Sequence, residues 1–233
     1  ARAPDWYVMG TGDQVRVTIF GVSQADLFLE VSDEGFVQPT GMPRIFLKGL
    51  TIRQAKKLLR ERLSEFYTFT QDEISLTVAV ARTITVGMLG EVRRNGSFTV
   101  SALNTALNVL SVAGGPTEIG SVRSIQRIRG KERLEIDLYS FLLDPSLQTD
   151  YDLRHNDVLF LPVAEKVVTL EGAVKRPFRY ELKGDEGILD LLQFAGGIRY
   201  DTAPNYIQIT RIEQGEPRLY EYDLQQILME EQN

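Results

Sequence analysis

Apolar and polar residues alternate through Val15, Val17 and Ile19, and this period of two predicts a strand that Gly21 stops. A turn, Tyr7-Val-Met-Gly10-Thr-Gly12-Asp13, leads into it. Asp33-Glu34-Gly35 is a second turn signal before a short strand, Phe36-Val37, and Pro39, Gly41 and Pro43 break the next stretch into loop. The pattern then changes period. Thr51 and Gln54 have capping-box spacing, and Ile52, Ala55, Leu58, Leu59 and Leu63 fall on one helical face, with Arg53, Lys57, Arg60 and Arg62 elsewhere. Ser75–Val80 returns to alternation as a strand.

Beyond it the pattern predicts a hairpin, a helix and a second hairpin. Ile84–Leu89 and Phe98–Val100 flank a turn within Gly90–Gly96, and Thr105–Ala113 reads as a helix with Gly114 at its left-handed end. Ser124–Arg129 and Arg133–Leu138 pair around Gly130-Lys131, and Tyr151–Pro162 closes the unit with an alternating strand. That closing segment echoes the start of the chain: Tyr151 and Asp157 match Tyr7 and Asp13 at an offset of 144 (151 minus 7), with Leu159 and Leu161 matching Val15 and Val17.

The same order of elements then recurs. Val168-Thr-Leu-Glu-Gly172-Ala-Val174-Lys175-Arg176 repeats Val86-Gly-Met-Leu-Gly90-Glu-Val92-Arg93-Arg94, and Ala195-Gly196-Gly197 repeats Ala113-Gly114-Gly115, all at an offset of 82 (172 minus 90). Ile125-Gln126 and Arg129 keep that offset to Ile207-Gln208 and Arg211, whereas Asp137-Leu138 reappears as Asp223-Leu224 at 86 (223 minus 137). A hairpin has therefore grown by four residues (86 minus 82). Self-similarity at fixed spacing means a module used twice, which points to assembly or binding rather than to one active site. Carried forward, the repeat places a second closing strand near position 237 (151 plus 86), past Asn233. Either the polypeptide continues into that strand, which is the favoured expectation, or another segment supplies it, with Tyr7–Phe20 as the obvious donor. Ala1, where a Met is absent, is expected to follow a removed leader or tag.

Composition narrows the function classes. At 233 residues, two or three modules are expected. A net charge of −6 argues against a nucleic-acid surface, and no apolar run approaches the roughly 18 residues of a spanning helix. With no Cys, disulfides, thiolate metal sites and Cys nucleophiles are excluded from these residues.

Candidate chemistry is sparse. The glycines Gly10 and Gly12 precede a strand, whereas a phosphate cradle leads from a strand into a helix, so Asp13 is expected to hydrogen-bond its own turn. His155, the single histidine, sits in a polar turn without metal-ligand spacing around it and is expected to be a solvated loop residue. Asp33 with Glu34, and Asp185 with Glu186, read as solvated turn carboxylates rather than a converging acid–base pair. Arg53, Lys56, Lys57, Arg60 and Arg62 read first as a solvated helix face; the sharper expectation is a surface that meets another subunit or an acidic polymer. Arg93-Arg94 and Lys175-Arg176 occupy the same turn of both repeats and are candidate contacts between subunits.

With these pieces in place, the chain resembles the bacterial outer-membrane polysaccharide export proteins, the capsule and exopolysaccharide translocon ring family. The segment Tyr7-x-x-Gly10-x-Gly12-Asp13 looks like that family's opening motif. Asp33-Glu-Gly35-Phe-Val-Gln-Pro39 and Gly49-Leu-Thr51 resemble its next two. Gly90, Gly114 and Gly115, with Gly172, Gly196 and Gly197, match its soluble-ligand-binding β-grasp modules. The resemblance implies an α+β chain: a small mixed-sheet export domain at 7–81 and two β-grasp modules in tandem at 82–163 and 164–228, the second lacking its closing strand. It also implies a non-enzymatic periplasmic ring without cofactor or metal, often an octamer, that passes polysaccharide to the outer membrane. The implied partners are further copies of itself, the polysaccharide and an inner-membrane copolymerase of tyrosine-kinase type. A lipid-modified N-terminal Cys and a C-terminal amphipathic helix, the family's anchors, are not seen in this sequence, which fits a polypeptide trimmed at both ends and also fits docking beneath a separate outer-membrane β-barrel. The alternative from a different class is a soluble periplasmic binding protein whose β-grasp modules hold an oligosaccharide or small ligand. An enzyme is a weak third reading.

Overall fold

Val15, Val17 and Ile19 are buried along one face of strand β1 (Gln14–Ile19), in a computed structural model that describes residues 3–143, 153–202 and 204–230. β1 is the middle strand of a three-stranded sheet, between β2 (Ala25–Glu30) and β5 (Ile74–Val80). Both pairings are antiparallel, so the expected mixed sheet in this region is corrected: β2 returns directly from β1 as a hairpin, and β5 enters against β1 in the opposite direction. Two-residue strands β3 (Phe36–Val37) and β4 (Ile45–Phe46) pair beside it. Helix α1 (Ile52–Leu63) starts at the expected capping box, with Thr51 Oγ1 accepting from Gln54 N–H and Gln54 Oε1 accepting from Thr51 N–H, and it buries Ile52, Ala55, Leu59 and Leu63.

The mixed sheet lies in the first repeat. β6 (Thr83–Gly90), β7 (Gly96–Ser101), β8 (Ile125–Arg129), β9 (Glu132–Ile136) and β10 (Val158–Leu161) assemble in the order β7-β6-β10-β8-β9. β10 is parallel to β6 and antiparallel to β8, so it joins two hairpins into one sheet. Its alternate residues Leu159 and Leu161 are buried, beside Ile84, Val86 and Met88 of β6 in the same core. Helix α2 (Ala106–Val112) adds Ala106, Val109 and Leu110 to that core. The apolar cluster is continuous from Ala3 through Leu161, so the first sheet and the first repeat share one core. The strand expected to run to Leu138 ends at Ile136, because Leu138 begins helix α3 (Leu138–Leu143). Tyr151, part of the expected closing segment, lies outside the described residues.

The second repeat carries the same parts less tightly joined. β11 (Lys166–Leu170) pairs with β12 (Phe178–Leu182), helix α4 (Ile188–Phe194) comes next, and β13 (Tyr206–Glu213) pairs with β14 (Glu216–Asp223) before helix α5 (Leu224–Glu230). Each hairpin is a separate two-stranded sheet; among the described residues no strand joins β11 to β13. The four added residues are placed by register. Arg129 pairs with Glu132 and Arg211 with Arg218, so Ile212-Glu213 and Glu216-Pro217 are the additions, two on each arm. A second core, built on Val174, Tyr180, Leu182, Leu191, Leu192, Phe194, Ala195 and Leu224, serves this repeat.

Candidate functional site

Asp13 is fully buried and its carboxylate is saturated with donors. Oδ1 accepts from Tyr7 Oη at 2.7 Å and Arg82 N–H at 2.8 Å; Oδ2 accepts from Gly10 N–H at 2.7 Å and Arg82 Nη1 at 2.8 Å. The Gly10–Asp13 bond is the turn bond expected from sequence. Arg82 Nη1 also donates to Tyr7 Oη, and burial, followed by the Asp13 hydrogen bond, pushes the Tyr7 phenol well above its ordinary pKa. A buried ion pair held by this many hydrogen bonds fixes the chain at the junction between β5 and β6, where Arg82 sits.

The echo at offset 144 is the same device. Asp157, also fully buried, accepts from Arg154 N–H at 2.8 Å, as Asp13 does from Gly10, and is clamped by Arg129 through Nε and Nη2, both at 2.8 Å. Asn156 holds φ at 69° where Gly12 holds 85°, in the left-handed region. Gly12 N–H donates to Val31 and Asn156 N–H to Thr85, while Val31 N–H donates to Asp13 and Gly87 N–H to Asp157. Each turn thus seats its following strand against a neighbour. His155 is exposed, and its Nδ1 accepts from Thr85 N–H at 3.1 Å.

The remaining motif positions are scaffold. Gly35 and Pro39 are buried around the β3–β4 hairpin, and Gly49 N–H donates to Met9 just before α1. Gly90 must be glycine for a second reason besides its turn: a Cβ there would overlap the carbonyl oxygen of Leu161 in β10. At Gly172, its counterpart, the same volume is open.

The basic turns repeat bond for bond. Arg93 N–H donates to Gly115 and Arg94 N–H to Ala113; Lys175 N–H donates to Gly197 and Arg176 N–H to Ala195. The second basic residue of each pair then turns onto its own helix end. Arg94 Nη2 donates to Val112 O, and Arg176 Nη2 to Phe194 O at 2.8 Å, a favourable place for a cation on the last carbonyls of α2 and α4. Gly114 and Gly196 form the ends those side chains cover. Arg93 and Lys175 are exposed and point to no such partner in these bonds. On α1, Arg53 and Lys57 are exposed and Arg60 half-buried; Arg53 approaches Asp5 at 4.0 Å, a surface contact of small energetic weight.

The densest polar cluster joins the two repeats, and no sequence pattern singled its residues out as a group. Arg123, 5% exposed, donates to Asp137 through Nε and Nη2 and to Glu186 through Nη1 and Nη2, the last at 2.7 Å. Its guanidinium lies over Tyr139 and Phe194 at 4.7 and 5.0 Å. Glu181 reaches back, accepting from Ser121 Oγ at 2.6 Å, Val122 N–H at 2.9 Å and Arg123 N–H at 3.2 Å. Lys183 Nζ adds Glu135 at 2.6 Å. Hydrogen bonding from Arg123 holds Glu186 below the ordinary glutamate range, against the burial that opposes it, with Lys183 N–H assisting. Glu186 is therefore not the solvated turn carboxylate expected. A signal was available: at offset 82, Arg123 answers to Asn205 and Glu181 to Thr99, so both depart from the repeat where neighbouring positions conform.

Nothing in this arrangement resembles a reaction centre. Among the described residues no group of three or more His, Cys, Asp or Glu converges to hold a metal ion. A hollow lined by Met42, Arg44, Ile45, Arg62 and Phe66 encloses about 180 Å³, short of the roughly 300 Å³ at which small-ligand pockets begin.

Three stretches of the chain match known families. Residues 1–81 match the family described as polysaccharide biosynthesis/export protein, and 85–136 and 167–221 each match the SLBB domain. Two Escherichia coli proteins, each described as polysialic acid transport protein KpsD, are 24% identical over 221 residues. The alignment covers 94% of this chain and 38% of those relatives.

Proposed function

The chain belongs to the polysaccharide biosynthesis/export family, with two SLBB domains behind the export region, and from that premise we propose that it is a non-catalytic, ring-forming subunit of a periplasmic polysaccharide export channel. The observation that carries the reading is colinearity: 94% of the chain aligns with proteins described as transporting polysialic acid. The proposed units are an export domain at 7–81 and β-grasp modules at 82–163 and 164–228. The mixed β7-β6-β10-β8-β9 sheet over α2 supports that assignment for the first of them.

The physical role follows from rigidity. A ring closes only if each subunit presents two complementary surfaces at a fixed angle. The continuous core from Ala3 to Leu161 and the Arg123–Glu186 lock hold that angle across three units. Polymer then moves through a hydrated lumen without being bound tightly, driven by inner-membrane machinery. The proposed partners are identical subunits, the polysaccharide, an inner-membrane copolymerase and a separate outer-membrane β-barrel. The proposed place is the periplasm at the outer membrane, with lipidation of the full-length form. Exposed Arg53 and Lys57 suit an acidic polymer or a neighbouring subunit.

Among the described residues no observation favours the binding-protein alternative, and the hollow at Met42–Phe66 lies in the export region rather than in either SLBB repeat. Deleting the gene tests the export reading in the organism. Loss of surface polysaccharide with accumulation in the periplasm is expected, restored by the wild-type gene. Unchanged surface polymer would overturn it.

A further inference from the structure

We propose that the second repeat is completed by a β-strand inserted between β11 and β13, supplied by the same polypeptide after α5 as β10 is supplied after α3. The proposal stands on the two repeats alone and does not depend on the export reading.

The first repeat shows what the occupant does. β10 runs parallel to β6, with Leu159 beside Met88, and antiparallel to β8, with Leu159 beside Arg127. Shifted by 82, the flanking residues become Leu170 on β11 and Ile209 on β13, both apolar and both half-buried. Their counterparts in the closed repeat are sealed. Val86 and Met88 are fully buried, whereas Val168 and Leu170 are only half so; Ile136 is 1% exposed, whereas Tyr222, at the corresponding register position, is 37% exposed. An apolar face left open between two unpaired strand edges invites a strand.

Three further features fit one occupant. The volume beside Gly172 is open where Leu161 O presses on Gly90. Glu91 N–H donates to Leu161 O, and its counterpart Ala173 N–H has no acceptor among the described residues. Arg211, counterpart of the Arg129 that clamps Asp157, lies over Tyr220 and is paired with no carboxylate among the described residues. The occupant is therefore an extended segment carrying a carboxylate for Arg211, then four strand residues with the second and fourth apolar. The source is argued from delivery. Asp223 and Leu224 begin α5 as Asp137 and Leu138 begin α3, with Asp137 and Asp223 each accepting the N–H two residues on at 2.8 Å, so the chain leaves the second hairpin as it leaves the first.

The test uses the 233-residue chain and, as probe, a synthetic peptide with the sequence of residues 153–163. Hydrogen exchange is followed with the peptide in excess. Amides of Thr169–Gly172, Ala173 and Gln208–Thr210 are expected to slow about tenfold or more, with those of β6 and β8 unchanged because β10 already covers them. A peptide carrying Leu159→Asp is expected to lose the effect, and both a peptide carrying Asp157→Asn and the protein variant Arg211→Gln to weaken it. Absence of slowing at β11 and β13, or slowing indifferent to Leu159→Asp, would overturn the site. A longer natural polypeptide that continues past α5 tests the source. Protection of β11 and β13 that persists on dilution and leaves the peptide nothing to add is expected. Protection that falls on dilution would assign the strand to a second copy and overturn the same-chain source, and no protection at all would overturn the proposal.

Discussion

The Arg123 guanidinium of the first repeat and the Glu186 carboxylate of the second form a bidentate ion pair across the junction between them. Arg123 is buried and Glu186 half-buried, which makes the pair costly to break from one side. Arg123→Met would leave the Glu186 and Asp137 carboxylates and the Glu181 backbone carbonyl short of their guanidinium donor, and should weaken the junction by about 3 kcal/mol. The expected readout is faster proteolysis at the connection around Val163–Glu165 and faster amide exchange in β12 and α4, with α1 and β1 unchanged.

The same pair sets a pH dependence. Glu186 has a lowered pKa in the folded protein, so its contribution is complete above the ordinary value of 4.5 and is lost as pH falls below that through the depressed one. Urea unfolding of wild type and Glu186→Gln between pH 7 and pH 3 should therefore converge at the acid end. A stability gap that stayed constant would contradict the assignment.

Asp13 and Asp157 should behave as equals. Asp13→Asn and Asp157→Asn each remove a fully buried charge opposite a half-buried arginine, Arg82 or Arg129, and should each cost about 3 kcal/mol of stability. Tyr7→Phe removes two hydrogen bonds from the same cluster, one donated to Asp13 and one accepted from Arg82, and should cost about 1 kcal/mol or more. Chemical denaturation measures all three.

Gly90 and Gly172 should not behave as equals. Both hold φ near 90°, at 89° and 90°, so alanine strains either backbone; at Gly90 it also overlaps Leu161. Gly90→Ala should be about 1 kcal/mol or more costlier than Gly172→Ala in this chain. In a polypeptide carrying the second closing strand, the difference should vanish.

The repeat was legible in the sequence because glycines and alternating apolar residues mark the turns and strands that the fold reuses. Gly90, Gly114, Gly115 and their counterparts hold the same turns. β2 was missed because Leu27, Phe28 and Leu29 run together: Leu27 and Leu29 face inward, and Phe28 lies outside against Arg16, which hides the period of two. β4 is two residues long between loop signals, too short for any period. α3 and α5 were legible in retrospect, since Asp137 and Asp223 cap them. The suggestion that Tyr7–Phe20 closes the second repeat fails because β1 already has partners on both edges. The Arg123 cluster joins residues about 60 positions apart whose pairing no local pattern announces.

The basic turns divide into structural and free residues. Arg94 and Arg176 cover their helix ends, so reversing them would disturb α2 and α4 rather than test assembly. Arg93→Glu with Lys175→Glu is the cleaner variant, and loss of oligomer with unchanged thermal unfolding is the expected outcome if these turns meet a neighbour.

The most direct test of the export reading is the mass and shape of the full-length protein extracted from the cell envelope, by light scattering with negative-stain imaging. Closed rings of a single size with a central cavity are predicted. A monodisperse monomer, without rings at any concentration, would contradict the ring-subunit assignment.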